Sequence, residues 1–144
     1  MSGNSRVGTV PTNPVRSTPR EVGYDQGTHW RAKLGFIILS TDLAMEENIF
    51  RLIPEGVGAS VTRLRTDNDC TVANLAAHID DMAEAASLLQ PEARPDVVCY
   101  ACTSGSIVIG EERVMAEIRR GAPWAQPATL VTGVINALHR LEAH

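Results

Sequence analysis

Short apolar runs in this chain alternate with longer stripes at helical spacing. The first run, Leu34 to Leu39, is continuous rather than alternating. That predicts a parallel strand covered on both faces. Ser40-Thr41-Asp42 follows at its carboxyl end. Met45, Ile49, Leu52 and Ile53 then recur at helical spacing, with Glu46 and Glu47 early, where the helix dipole favours acids. Pro54 and Gly56 end that helix. Val57 to Leu64 is rich in β-branched residues and predicts a second strand.

Thr66-Asp67-Asn68-Asp69 predicts a turn with capping residues. Leu75, Ile79, Met82, Ala86 and Leu89 step by four and three, a helical stripe that Pro91 and Pro95 stop. His78 and His139 are expected on solvent-facing stripes of their helices, with no role. Val97 to Ala101 predicts the third strand. Ile107, Val108, Val114, Met115 and Ile118 predict a helix that Gly110 breaks and that Gly121 and Pro123 end. Ala128 to Val131 predicts a short fourth strand. Thr132 is the expected N-cap of a last helix carrying Val134, Ile135, Leu138 and Leu141 on one face.

The order is βαβαβαβα. It implies an α/β fold, a flavodoxin-like parallel sheet of about four strands flanked by helices, with right-handed crossovers. Residues 1–30 show no apolar periodicity and hold Pro11, Pro14 and Pro19. They are expected to be a flexible tail, or an arm that packs on a partner through Tyr24 and Trp30. The domain is then 31–144. A fifth strand and a helix to cover the remaining face are not evident, so the pattern resembles the front part of something longer.

Composition narrows the function classes. The chain has 144 residues, 44% hydrophobic and 21% charged, which suits one globular domain. Its net charge of −4 gives no reason to expect nucleic acid or an anionic membrane as partner. No apolar run approaches the roughly 20 residues of a membrane helix, and no apolar leader stands at the start. Three cysteines without framework spacing point to a reducing, cytoplasmic setting.

Candidate chemistry gathers at the end of the third strand. Cys102 falls at its carboxyl end, the edge where ligands bind in open α/β sheets. Thr103, Ser104 and Ser106 add hydroxyls and backbone N–H groups at a helix start, which favours an anion, either a carboxylate or a thiolate. Cys99 to Cys102 has C-x-x-C spacing, but residues three apart on a strand face opposite ways. With no second Cys/His pair, no metal is expected. Cys99 reads as core, Cys70 as a helix-start residue without a role, and Trp124 as packing under a loop. Arg63 and Arg65 end the second strand on the same edge, either as a carboxylate clamp or as solvated arginines.

Gly35 to Asp42 with Met45-Glu46, Leu52 to Gly56, Val61 to Arg65, Asp96 to Ser106, and Pro127-Ala128-Thr129 with Ala137-Leu138 together resemble the aspartate/glutamate racemase superfamily. The similar branch is that of maleate cis-trans isomerases, arylmalonate decarboxylases and ectoine-utilisation A proteins. Tyr100-Ala-Cys-Thr-Ser-Gly-Ser106 is its most specific segment. The resemblance implies one half of a pseudo-symmetric, two-domain architecture with the substrate between the halves and the second half absent here. It implies Cys102 as the catalytic thiol, acting as base in a racemase or nucleophile in an isomerase, with decarboxylation a further option. It implies substrate contacts from Thr103, Ser104, Ser40, Thr41 and Asp42, a small carboxylate substrate, and no cofactor. Where maleate isomerases carry an asparagine, this chain has Asp42, which favours an amino-acid-like or amide substrate. The resemblance leaves a homo-oligomer or a missing second half as the partner. Rival readings are a non-catalytic flavodoxin-like binding module and, less favoured for want of a strand-end histidine, a cysteine hydrolase.

Overall fold

The computed structural model describes residues 27–89 and 94–142. The expected tail up to residue 26, with Tyr24, and the Pro91 helix stop lie outside them. The elements are β1 (Ala32–Leu39), α1 (Met45–Leu52), β2 (Val57–Leu64), α2 (Val72–Ser87), β3 (Val97–Tyr100), α3 (Thr103–Ile109), α4 (Glu111–Gly121), β4 (Gln126–Thr129) and α5 (Leu130–Arg140). The four strands form one parallel sheet in the order β2-β1-β3-β4. The α/β architecture with a parallel sheet is therefore as expected.

Register explains the central strand. Ile37 pairs with Thr62 of β2 and with Tyr100 of β3. Successive side chains alternate faces, and Ile37 and Ile38 are both fully buried. Ile37 joins the main core with Leu64, Met82, Leu89, Val98, Tyr100, Val114 and Ile118. That core lies under α2, which packs against α3, α4 and β2. Each fully buried aliphatic side chain there stabilises the fold by about 1.5–3 kcal/mol. The opposite face is thinner. Phe36, Val61, Val97 and Cys99 are only half-buried, and α1 contributes Ile49.

Helix α2 starts at Thr71, whose hydroxyl accepts from the Asn74 N–H at 3.1 Å. The cap thus falls two residues after the expected Thr66–Asp69 turn. Alanines 83, 85 and 86 are buried and let α4 approach closely. Gly110 has φ +91°, a left-handed conformation that divides α3 from α4 as expected. Helix α4 then carries Glu111 and Glu112 at its start and Arg119 and Arg120 at its end, matching its dipole.

Three expectations need correction. The fourth strand is Gln126–Thr129, not Ala128–Val131, and the last helix is capped by Thr129, not Thr132. Pro127 can sit in β4 because this strand is an edge. Thr129 is extended, and its Oγ1 accepts from the Thr132 N–H at 3.1 Å, so Leu130 and Val131 become the first helical turn. His78 is not solvent-facing either. It is 2% exposed and points into the core from α2.

Candidate active site at the carboxyl edge of the sheet

Ala101 closes β3, its N–H donating to the carbonyl of Ile37 at 2.8 Å. Cys102 follows as the extended N-cap of α3, with φ −138° and ψ 109°. Its sulfur accepts from the Gly105 N–H at 3.3 Å, as a serine oxygen does at other helix starts. Cys102 is half-buried, packed against the core on one side. Thr103 and Ser104 are exposed in the first turn, where backbone N–H groups have no intrahelical acceptor. A sulfur and two open amides therefore share this edge. Ser106 does not contribute to it. Its side chain is buried and donates to the Cys102 carbonyl at 2.7 Å.

Behind the sulfur stands a row of polar groups that the strand pattern did not reveal. The Tyr100 side chain is fully buried. Its hydroxyl lies 2.7 Å from His78 Nδ1, and His78 Nε2 lies 2.8 Å from Thr66 Oγ1. Thr66 donates its own proton to the Asp67 carbonyl at 3.4 Å. It therefore accepts from Nε2–H, which leaves Nδ1 to accept from the Tyr100 hydroxyl. Burial lowers the pKa of His78 from its ordinary value. Tyr100 is raised well above the usual phenol range, first by burial, then by the charge of Cys102 and a hydrogen bond with it. The row thus runs Thr66–His78–Tyr100 and ends against Gly105 at the start of α3. The signal was present in the sequence. His78 stands three residues after Leu75 and four before Met82, on the apolar stripe itself. A buried tyrosine hydroxyl also needs a partner.

The remaining expected residues take structural positions at the same edge. Ser40 Oγ accepts from the Thr66 N–H at 3.1 Å, tying the ends of β1 and β2. Thr41 is exposed. Asp42 Oδ1 accepts from the N–H groups of Ala44 at 2.9 Å and Met45 at 2.7 Å, which starts α1. Arg63 Nη1 donates to the carbonyls of Leu39, Ser40 and Asp42. Its Nη2 lies 3.1 Å from Glu46. It fastens the Ser40–Asp42 loop. Arg65 is exposed and lines a cavity of about 470 Å³ with Asp67, Asn68, Asn74, His78 and Asp81. Cys102 is not among the lining residues of that cavity. His78 lines that cavity, and its ring reaches back to Tyr100.

Cys99 faces away from Cys102, and burial pushes its thiol up to about 11. Cys70, Cys99 and Cys102 are all free thiols, and Cys70 is exposed. Trp124 is half-buried against the core, with the Arg94 guanidinium 5.7 Å from its ring centroid. At the other end of the sheet, Trp30 is 58% exposed and has the Arg31 guanidinium 6.0 Å from its ring centroid. Among the described residues, no cluster of His, Cys, Asp and Glu could hold a metal ion, and no helix is long and apolar enough to cross a membrane.

No protein-family model matches the chain, and no curated protein sequence matches it. Solved structures do. The maleate isomerase of Pseudomonas putida, in a variant crystallised with maleate, aligns with a TM-score of 0.61 at 22% identity over 77% of this chain and 49% of that one. The maleate cis-trans isomerase of Nocardia farcinica, bound to TRIS, aligns with a TM-score of 0.62 at 20% identity over 77% and 49%. A liganded variant of arylmalonate decarboxylase aligns with a TM-score of 0.54 at 22% identity over 77% and 47%. The shared feature is the fold. The chain spans about half the length of each of these structures.

Proposed function

We propose that the chain is one half of a cofactor-independent racemase- or isomerase-like protein of the aspartate/glutamate racemase type, acting on a small carboxylate through Cys102. The observation that carries this reading is the sulfur at the carboxyl edge, half-exposed and hydrogen-bonded to Gly105, beside the open first turn of α3. A carboxylate would rest on the Thr103 and Ser104 amides and hydroxyls. The same donors would stabilise the enediolate formed when the α-carbon loses a proton or CO₂. Cys102 would act as the base at that carbon or as the nucleophile on an alkene. The half-length alignment to maleate isomerase and arylmalonate decarboxylase supports this architecture.

The finer reading is the ectoine-utilisation A branch. Asp42 keeps a carboxylate at the loop beside the site, and a second negative charge on the substrate would be repelled there. A monocarboxylate bearing an amide fits better than a dicarboxylate. The isolated chain binds without turnover, because only one face of the substrate meets a thiol. Exposed Val134, Ile135 and Leu138 on α5, with Leu141 at its C-cap, support pairing with a second half or a second copy. A cytoplasmic setting suits the free thiols.

The test is titration of the isotope-labelled chain with succinamate, and separately with maleate, followed by amide resonances. The expected result is movement of the Thr103, Ser104 and Gly105 amides, at lower concentration with succinamate. Shifts confined to the cavity around Arg65 and Asp81 would contradict the reading. The alternative, a non-catalytic flavodoxin-like binding module, predicts that pattern and is favoured by the cavity beside His78.

A further inference from the structure

We propose that α5 docks a second copy of this chain, the two helices running antiparallel about a two-fold axis. The inference narrows the pairing named above to one partner and does not depend on what Cys102 does.

Helix α5 is apolar where its own chain does not cover it. It meets the domain through β4 and α3, and none of its residues is buried. From Gly133 to Arg140 every residue is exposed. Val134 is 56% exposed, Leu138 46%, and Leu141, at the C-cap, 77%. A helix of 11 residues is marginal in water without tertiary support. Single exposed apolar residues are ordinary, but a contiguous stripe marks an interaction surface.

The stripe has the spacing of a helix–helix seam. Val131, Val134, Leu138 and Leu141 step by three, four and three, the a/d pattern of a coiled coil. Ile135 flanks it. Thr132, Gly133, Asn136, His139 and Arg140 take most of the remaining positions, so the helix carries one apolar seam.

That seam complements itself in one direction. With the helices antiparallel and the axis level with Asn136, Val131 of one copy stands opposite Leu141 of the other, and Val134 opposite Leu138. Every layer then joins a valine to a leucine. In the parallel direction valine meets valine and leucine meets leucine, and the layers differ in width.

Charge selects the same direction. The start of α5 is acidic, because the Glu111 carboxylate is bonded to the Thr129 and Thr132 hydroxyls and Glu112 beside it is exposed. The end is basic, with His139 and Arg140 in the last turn. Arg140 has no ion-pair partner among the described residues. Antiparallel pairing sets Arg140 of each copy level with Thr132 of the other, where Glu111 sits, and opposes the two helix dipoles. Parallel pairing would set basic end against basic end. The seam is short, so the association is weak and depends on concentration.

The experiment is sedimentation equilibrium of the full chain across the micromolar range. The mass should climb with concentration from one chain of 15.5 kDa toward two. Leu138→Glu and Val134→Glu, both at exposed positions, should each raise the dissociation constant about tenfold or more. Arg140→Glu should weaken pairing severalfold, and Glu112→Arg added to the same chain should restore it. Direction is read by mixing a Val134→Cys chain with a Leu138→Cys chain under mild oxidation and mapping the disulfides by mass spectrometry. Linkage of position 134 to position 138 should dominate over linkage within either variant alone. A single-chain mass at every concentration assigns the face to a different partner and overturns the proposal. So does a dimer indifferent to both glutamate substitutions, or dominant linkage of position 134 to itself. Carboxylate binding at Thr103 and Ser104 is measured separately, so loss of pairing and loss of that reading are told apart.

Discussion

The hydroxyl of Tyr100 occupies the space that a Cβ at Gly105 would need. Strand β3 and helix α3 can therefore close on each other only with glycine at that position. A hydroxyl held at both ends of this contact cannot retreat, since His78 bonds it from behind at 2.7 Å. Gly105→Ala should destabilise the chain by about 1–3 kcal/mol through this overlap. The overlap is mostly with one oxygen. Tyr100→Phe should relieve much of it, so the double variant should lose less than the sum of the singles. Urea unfolding of the four proteins checks this, and strict additivity would contradict it.

Burial of His78 has a pH signature. Its folded value lies below the ordinary 6.5, so the unfolded chain takes up the proton first as pH falls. The stability associated with this residue is complete above about 6.5 and is lost as pH falls through the lower folded value. The thermal midpoint should fall between roughly pH 7 and 5, and His78→Gln should flatten that slope even though it lowers the midpoint at neutral pH. A slope identical in both proteins would show that other groups carry it.

The three cysteines should separate by reactivity. With its thiol at about 11, Cys99 is ionised to roughly one part in ten thousand at pH 7. It also faces away from the carboxyl edge. Alkylation should therefore be slower at Cys99 than at exposed Cys70, and the proposed role of Cys102 as the reactive thiol puts it fastest of the three. Peptide mapping after timed labelling gives the order directly. Cys99 reacting as fast as Cys70 would contradict the burial of this strand face.

Thr129 ends β4 and starts α5 with one side chain. Its hydroxyl and that of Thr132 both donate to Glu111 Oε1, and these bonds, Thr129 first, hold the Glu111 carboxyl below its ordinary value. The stability they supply is present above the ordinary carboxylate range and is lost as pH falls through the lower folded value. Thr129→Val keeps the shape and removes both the cap and the carboxylate bond, at a cost of about 1–2 kcal/mol near neutral pH. The cost should shrink in acid. A constant cost from neutral to acid pH would assign it all to the cap.

Most of the fold was legible because parallel strands and amphipathic helices announce themselves by different periods. Val57–Leu64 was bounded to the residue, and Gly110 marked the division between α3 and α4. The misses have physical causes. An edge strand tolerates Pro127, so β4 begins two residues before Ala128. Thr129 and Thr132 are both able to cap, and only the extended backbone at Thr129 decides between them. At the site, Cys102 was visible from strand-end logic and a characteristic segment. The row behind it was not, because Tyr100 passes for an apolar residue in a buried run and a polar histidine on an amphipathic helix reads as solvent-facing. The bond between them joins residues 22 apart in sequence, which no local pattern encodes. Ser106 is the converse case. Its hydroxyl turns back on the Cys102 carbonyl, a bond available to any serine four residues into a helix start.

The central claim is that the Cys102 sulfur waits beside a carboxylate-binding turn. Its most direct test is the rate of Cys102 alkylation at neutral pH with and without saturating succinamate. The account predicts that succinamate slows Cys102 severalfold and leaves Cys70 and Cys99 unchanged. Equal rates at Cys102 in both conditions, with succinamate bound elsewhere or not at all, would contradict it.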